Sequence, residues 1–182
     1  MIPADFHIDT PRLTLRLPRM EDFPTWEAFA ASKRAQYIGG PYDKRNAWRA
    51  FAHVAGQWML RGYGSFVFCE KGSDKPLGLT GPWHPEDWPE REIGWTVWSP
   101  EAEGKGYAFE AALAARAHAF ETLGWDTAVS YIDADNARSI ALAERLGCTL
   151  DEDAEKPDSD LPPCLVYRHP APDADGSPEA YA

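Results

Sequence analysis

The sequence predicts an α/β fold on a mixed sheet, and three stretches of the 182-residue chain predict it. Alternating apolar runs separated by glycine and proline fill much of the first half. A strand, a glycine loop and a long helix succeed one another between Glu90 and Phe120. A short helix and a hairpin follow. Antiparallel strands leading into a strand–helix–strand unit require both kinds of pairing, with helices against the sheet.

In chain order, Arg12 to Leu17 alternates and reads as a first strand, ended by Pro18. Glu21 to Lys33 carries Phe23, Trp26, Phe29 and Ala30 at helical spacing. Lys44 to Arg61 does the same with Trp48, Phe51, Val54, Ala55 and Trp58. These aromatics read as core. Between the two helices Gly39-Gly40-Pro41 breaks the chain, and paired glycines let backbone come close to a ligand. Ser65 to Glu70 and Pro76 to Pro82 read as an antiparallel pair around the turn Lys71 to Lys75. In the proline-punctuated loop Trp83 to Pro89, His84 stands alone and reads as a surface residue. Thr127 to Ile132 is a strand and Asn136 to Leu146 a helix. Cys148 to Glu152 and Leu165 to Arg168 are strands, and Pro170 to Ala182 has the composition of a linker.

The middle stretch carries the first functional signal. In Glu92-Ile93-Gly94-Trp95-Thr96-Val97-Trp98, Ile93, Trp95 and Val97 share one face and Glu92, Gly94, Thr96 and Trp98 the other. Ser99-Pro100 ends the strand. After Gly106 the period becomes helical through Phe109, Leu113, Ala117 and Phe120, up to Gly124. A glycine loop that opens a helix offers N–H groups at the positive end of the helix dipole, which suits a phosphate or pyrophosphate. Gly104-Lys105-Gly106 lacks the Walker spacing and its Lys-Ser/Thr pair. It approaches the dinucleotide fingerprint, with Asp133 imitating the ribose-binding acid, but Phe109 stands where the third glycine belongs. A tight turn that binds nothing has the same appearance.

The second signal is Asp135 to Cys148. Ile140, Ala143, Leu146 and Gly147 share one helical arc, with Arg138 and Arg145 opposite, and Asn136 and Ser139 fall inside the apolar arc. Polar groups on a buried face need partners: a ligand, or the helix's own backbone through a cap.

Composition narrows the classes. Lys and Arg number 18 against 29 Asp and Glu, a formal charge of −11. A nucleic-acid partner needs a basic face, and none is visible. Cys69, Cys148 and Cys164 are odd in number and lack metal-ligand spacing, so no metal and a reducing compartment are expected. The start has no signal-peptide pattern and no apolar stretch would cross a membrane, which predicts a cytoplasmic protein without a membrane partner.

Glu103-Gly104-Lys105-Gly106-Tyr107-Ala108 resembles the Gln/Arg-x-x-Gly-x-Gly/Ala loop of the GNAT superfamily of acetyl-CoA-dependent N-acetyltransferases. Asn136-x-x-Ser139 followed by Leu146-Gly147 resembles the second motif of its RimJ/RimL-like branch. Glu92-Ile93-Gly94-Trp95 and Tyr37-Ile38-Gly39-Gly40-Pro41 are similar to the same branch. The likeness runs from residue 10 to residue 170 in the family's order.

The resemblance implies a single acetyltransferase domain over residues 1–170, with a flexible tail at 171–182, as a monomer or homodimer. Its sheet would be mostly antiparallel, flanked by helices and splayed between the fourth and fifth strands, with acetyl-CoA in the split. Backbone at Thr96, Val97 and Trp98 would follow the pantetheine arm. Glu103, Gly104, Lys105, Gly106, Tyr107 and Ala108 would hold the pyrophosphate. Asn136 would orient the arm, and Ser139 would serve the leaving thiolate, since Ala143 stands where many members have a tyrosine. Gly39, Gly40, Trp83 and Trp88 would border the acceptor, a small amine or a protein N-terminus. An alkylammonium of pKa about 10.4 is almost entirely protonated at pH 7, so a base is useful, and Glu92 is the candidate. Glu103 departs from the family's glutamine or arginine, and its carboxylate is expected to weaken the ligand's hold. The acidic run Asp151 to Asp160 reads as a solvated loop or as an attractor for a cationic amine. Two alternatives stand beside the enzyme: a catalytically silent acyl-CoA-binding module, and a nicotinamide-dependent oxidoreductase, the latter disfavoured by Phe109 and the antiparallel first half.

Overall fold

Strand side chains alternate strictly between two layers of core. Phe66 and Phe68 join Leu13, Leu15, Ala111 and Ala115 on one face, while Val67 and Cys69 join Trp26, Phe29 and Phe51 on the other. The computed structural model describes residue 3, residues 5–157 and residues 164–171. Eight strands form one sheet: β1 (His7–Asp9), β2 (Leu13–Arg16), β3 (Phe66–Glu70), β4 (Gly78–Trp83), β5 (Glu92–Val97), β6 (Val129–Asp133), β7 (Thr149–Leu150) and β8 (Cys164–Arg168). Their spatial order is β1-β2-β3-β4-β5-β6-β8-β7. Helices α1 (Phe23–Ala30) and α2 (Lys44–Arg61) cover one face, and α3 (Tyr107–Ala117) packs on the other. The short α4 (Ala137–Arg145) follows β6 and packs Ala143 and Leu146 against Ala112 and Ile132.

Every pairing is antiparallel except β5 with β6, which meet in parallel at Glu92 opposite Val129. Beyond that register β5 and β6 separate, so the sheet splays there. These are the expected fourth and fifth strands, moved up one place because β1 precedes them. β1 escaped the sequence because three residues are too few to show a period. Other bounds shift for local reasons. α1 stops at Ala30, as Ser32 accepts from the Arg34 N–H and starts a separate 3-10 turn, Lys33–Ile38. α3 runs on through a π turn, His118–Thr122, to Gly124 at φ 67°. Cys148 to Glu152 contributes two paired residues only.

Polar contacts lock the joint of the split from both sides. Ser130 Oγ donates to the Ile93 carbonyl at 2.6 Å and lies 2.9 Å from His169 Nε2, whose Nδ1 lies 3.4 Å from Arg116 on α3. Burial, then the nearby Arg116 charge, holds the His169 pKa down to about 3. The neutral ring therefore accepts a hydrogen bond from Arg116 N–H at Nδ1 and donates from Nε2 to Ser130 Oγ. On the outer side Arg168 bonds Glu90, Thr127 and Asp151.

A second polar lock fixes the entry to α1. Arg16 on β2 donates twice to Asp22, at 2.8 and 2.9 Å, and both side chains are buried. Asp22→Asn removes the charge that compensates a desolvated guanidinium. Urea denaturation is expected to show a loss of about 3 kcal/mol or more. A loss under about 1 kcal/mol would mean that solvent reaches Arg16.

Candidate active site

The split sheet leaves backbone edges without a ladder. Trp98 N–H bonds Leu77 O, just before β4, whereas Arg91 O accepts from Val129 N–H and Ile93 O from the Ser130 hydroxyl. Even-numbered residues of β5 therefore direct their amide edges to β4, and odd-numbered ones direct them to β6. Past the joint, Trp95 and Val97 face the split with no paired strand. Of the three residues expected along an extended ligand, Val97 presents its edge there, and Thr96 and Trp98 turn theirs away. Trp95 takes their place. The exposed stretch from Glu92 to Val97 spans about 16 Å at the usual strand rise.

At the open end, Gly104 and Gly106 both have positive φ, 73° and 76°, and Gly106 caps α3. This left-handed geometry turns the chain so that the first-turn N–H groups of α3 face outward, without carbonyls four residues earlier to bond. Arg12 holds the loop in shape: it donates to Lys105 O at 2.9 Å and to Glu110 at 2.6 Å. The Tyr107 hydroxyl donates to Glu70, so its ring belongs to this brace and its N–H alone faces the loop's concavity.

Glu103 does not stand as a bare carboxylate. Arg34 donates to it at 2.6 and 3.0 Å and Arg138 at 2.9 Å, and hydrogen bonds from Arg34 hold its pKa below the usual range. Two guanidiniums against one carboxylate make this corner net positive, which removes the reason to expect repulsion. Arg34 also donates to Val97 O at 2.8 Å and Trp98 O at 2.6 Å, joining the turn before Gly39 to the end of β5. The sequence reading missed Arg34, a lone arginine in a polar turn with no motif around it.

Glu92 sits at the joint. Its carboxylate accepts from Trp88 Nε1 at 2.6 Å and from the Tyr131 backbone N–H. Burial raises its pKa from 4.5 to about 7, more than these two donors lower it. Across the cleft, Asn136 caps α4 by accepting from Ser139 N–H at 3.2 Å. Ser139 Oγ accepts from Trp95 Nε1 at 3.2 Å, which leaves its hydroxyl proton free to be donated.

One cavity of about 470 Å³ runs along the split and is lined by Gly39, Trp83, Trp88, Glu92, Trp95, Thr96, Asn136 and Ser139. Gly40 is outside it. A Cβ there would meet the Ala35 Cβ at 2.7 Å, so the glycine serves close packing of the chain on itself. The Gly104–Ala108 loop lies beyond the cavity's open end. In the acidic run, Asp151 pairs with Arg168 at 2.6 Å, and Asp158 to Asp160 lie outside the described residues. Among the described residues no group of three His, Cys, Asp or Glu could hold a metal ion, and no helix is long and apolar enough to cross a membrane. The doubly wound parallel sheet of a dinucleotide fold is absent from them too; Asp133 instead caps a turn by accepting from Asp135 N–H.

Residues 12–149 match the family model described as an acetyltransferase (GNAT) domain. An acetyltransferase from Agrobacterium tumefaciens is 40% identical, with a TM-score of 0.84 over 93% of this chain and 97% of that one. A GNAT-family acetyltransferase from Bordetella pertussis is 26% identical, with a TM-score of 0.74 over 91% of this chain and 99% of its own. RimL, a ribosomal L7/L12 alpha-N-protein acetyltransferase solved in complex with coenzyme A, shares the fold at 18% identity and a TM-score of 0.71, over 94% and 100% of the two chains. No curated protein matches the sequence. With three quarters of its length under the family model and a relative 40% identical over 93% of the chain, the chain belongs to the GNAT acetyltransferase family.

Proposed function

We propose that the protein transfers the acetyl group of acetyl-CoA directly to a primary amine. The observation that carries this reading is Glu92: a carboxylate with a pKa pushed up to about 7, at the closed end of a split whose open end is a glycine loop. Bound acetyl-CoA would supply a thioester carbonyl for the amine to attack. The outward N–H groups from Gly104 to Ala108, with Arg138 and Lys105 beside them, suit its pyrophosphate. The edges of Trp95 and Val97 suit an extended amide-bearing arm, and Asn136 borders that arm. Glu92 takes the proton of the incoming ammonium, directly or through a water, and the Ser139 hydroxyl donates to the departing sulfur. Wide aromatic walls around Glu92 keep water from competing. RimL acts on a protein N-terminus, and this chain's acceptor is of the same chemical kind, an amine.

Acetyl-CoA at a hundred times its dissociation constant is expected to add about 2.7 kcal/mol of stability, read as a rise in melting temperature, and NAD none. A shift with NAD and none with millimolar acetyl-CoA would overturn the assignment.

Glu92 must be ionised to act as a base, so kcat/KM should rise with pH and level off above about 7. Glu92→Gln should lower kcat by about 10²-fold and abolish that limb. Its stability should move too. A raised carboxyl pKa stabilises the fold fully below 4.5, and the stabilisation fades as pH rises through about 7. The glutamine variant should therefore gain on wild type between pH 5 and pH 8. Unchanged kcat in a folded variant that binds coenzyme A would remove Glu92 from the chemistry. A protein that binds the coenzyme and acetylates no amine would be a silent binding module.

Arg138 is expected to help the ligand chiefly by covering Glu103. Arg138→Ala should weaken coenzyme A by about 0.5–1 kcal/mol, and by less when Glu103→Gln is already present. Equal losses in both backgrounds would mean that the two side chains act independently.

A further inference from the structure

We infer that the acceptor is an amine carried on an aromatic body without a carboxylate, an arylalkylamine, and that the inner cavity excludes the matching α-amino acid. This rests on the acetyl-transfer reading and extends it to the acceptor.

Register puts Trp83 directly opposite Glu92 on neighbouring strands, so both side chains rise on the α2 face. His53 of α2 packs on Trp83 with ring centroids 4.7 Å apart. Trp88, bonded to the Glu92 carboxylate, meets Tyr131 edge-on at 6.1 Å. Two aromatic pairs thus flank the candidate base. Ring faces attract an ammonium, and rings add shape-specific contact with another aromatic ring.

The charges point the same way. The carboxylates that line the cavity are Asp87, Glu92 and Asp133, and no lysine or arginine lines it among the described residues. Lys156 stands outside, in a shallow depression shared with Glu86, Asp87 and Glu155. Around the joint Arg168 is committed to Glu90 and Asp151, Arg61 to Glu86, and Arg116 to Leu146 O and His169, while Arg91 lies over the Trp125 ring. An amino acid's carboxylate in this cavity would be desolvated, without a lysine or arginine to pair with, and facing like charge. An amine on an apolar body brings one positive charge to Glu92 and rings to rings. At about 470 Å³ the cavity is at the small end for ligand sites, and a thioester arm takes part of it.

The test pairs 2-phenylethylamine with phenylalanine, which differ by the carboxylate, and adds butylamine and short peptides with free N-termini. Binding to the full-length protein with coenzyme A present is read by calorimetry, and acetyl transfer is read separately with acetyl-CoA. 2-Phenylethylamine should bind about tenfold or more tighter than phenylalanine and butylamine, and exceed all the others in kcat/KM by a similar factor. Asp87→Lys, in an exposed loop position, should narrow the gap to phenylalanine at least several-fold. Trp83→Leu should raise KM for 2-phenylethylamine by a clearly larger factor than for butylamine, which loses only the ring's pull on its ammonium. Phenylalanine or a peptide binding as tightly as 2-phenylethylamine overturns the inference, as does failure of every amine to bind. Preferential binding without any acetyl transfer would retain the pocket and reject the transferase reading. Transfer with no preference would do the reverse.

Discussion

A single parallel contact, Glu92 opposite Val129, decides what this sheet can do. Had β5 and β6 stayed paired, the amide edges of Trp95 and Val97 would have been consumed by the ladder. They part, and a sheet that is otherwise continuous acquires an internal edge, normally a liability. The fold protects that edge by depth: α4 and the turn before Gly39 stand on either side, and the Tyr37 hydroxyl reaches Asp135 O across the gap. The cleft is thus a consequence of pairing left incomplete at one register, and Glu92 sits where pairing stops.

Charge shows how little the net value of a chain says about one corner of it. A protein of formal charge −11 gathers Arg34, Arg138, Lys105 and Arg12 around one loop. Glu103 pairs with two of these, and pairing is what keeps the long side chains of Arg34 and Arg138 in place. The acidic surplus collects elsewhere, at Asp87, Glu86 and Glu155 near the other end of the split.

Much of this was legible in the residues. Lys44–Arg61 was readable to the residue because Asp43 caps it and Gly62 ends it in the left-handed region. The glycine loop and Asn136-x-x-Ser139 were readable because each combines a backbone demand with a polar position. What stayed hidden was set by tertiary structure. Whether Val97 or Thr96 faces the split depends on which edge of β5 pairs with β4, and sequence alternation reports side-chain faces, not backbone edges. Arg34 finds Glu103 from 69 residues away. Gly40 is expected beside a ligand, and its missing Cβ also makes room for Ala35, since both uses require the same absent group. Trp95, which the period places only on the face of Ile93 and Val97, packs beside Ala112 and Ile132 and also donates to the Ser139 hydroxyl.

The chain of contacts from Arg116 through His169 and Ser130 to the Ile93 carbonyl has one consistent arrangement of protons, each donor facing one acceptor. With the imidazole held neutral down to about pH 3, that arrangement persists across the whole range in which Glu92 changes charge. The pivot is therefore deaf to acidity while the group beside it listens. A bend in a rate profile near neutrality would thus not come from a change of charge within this frame.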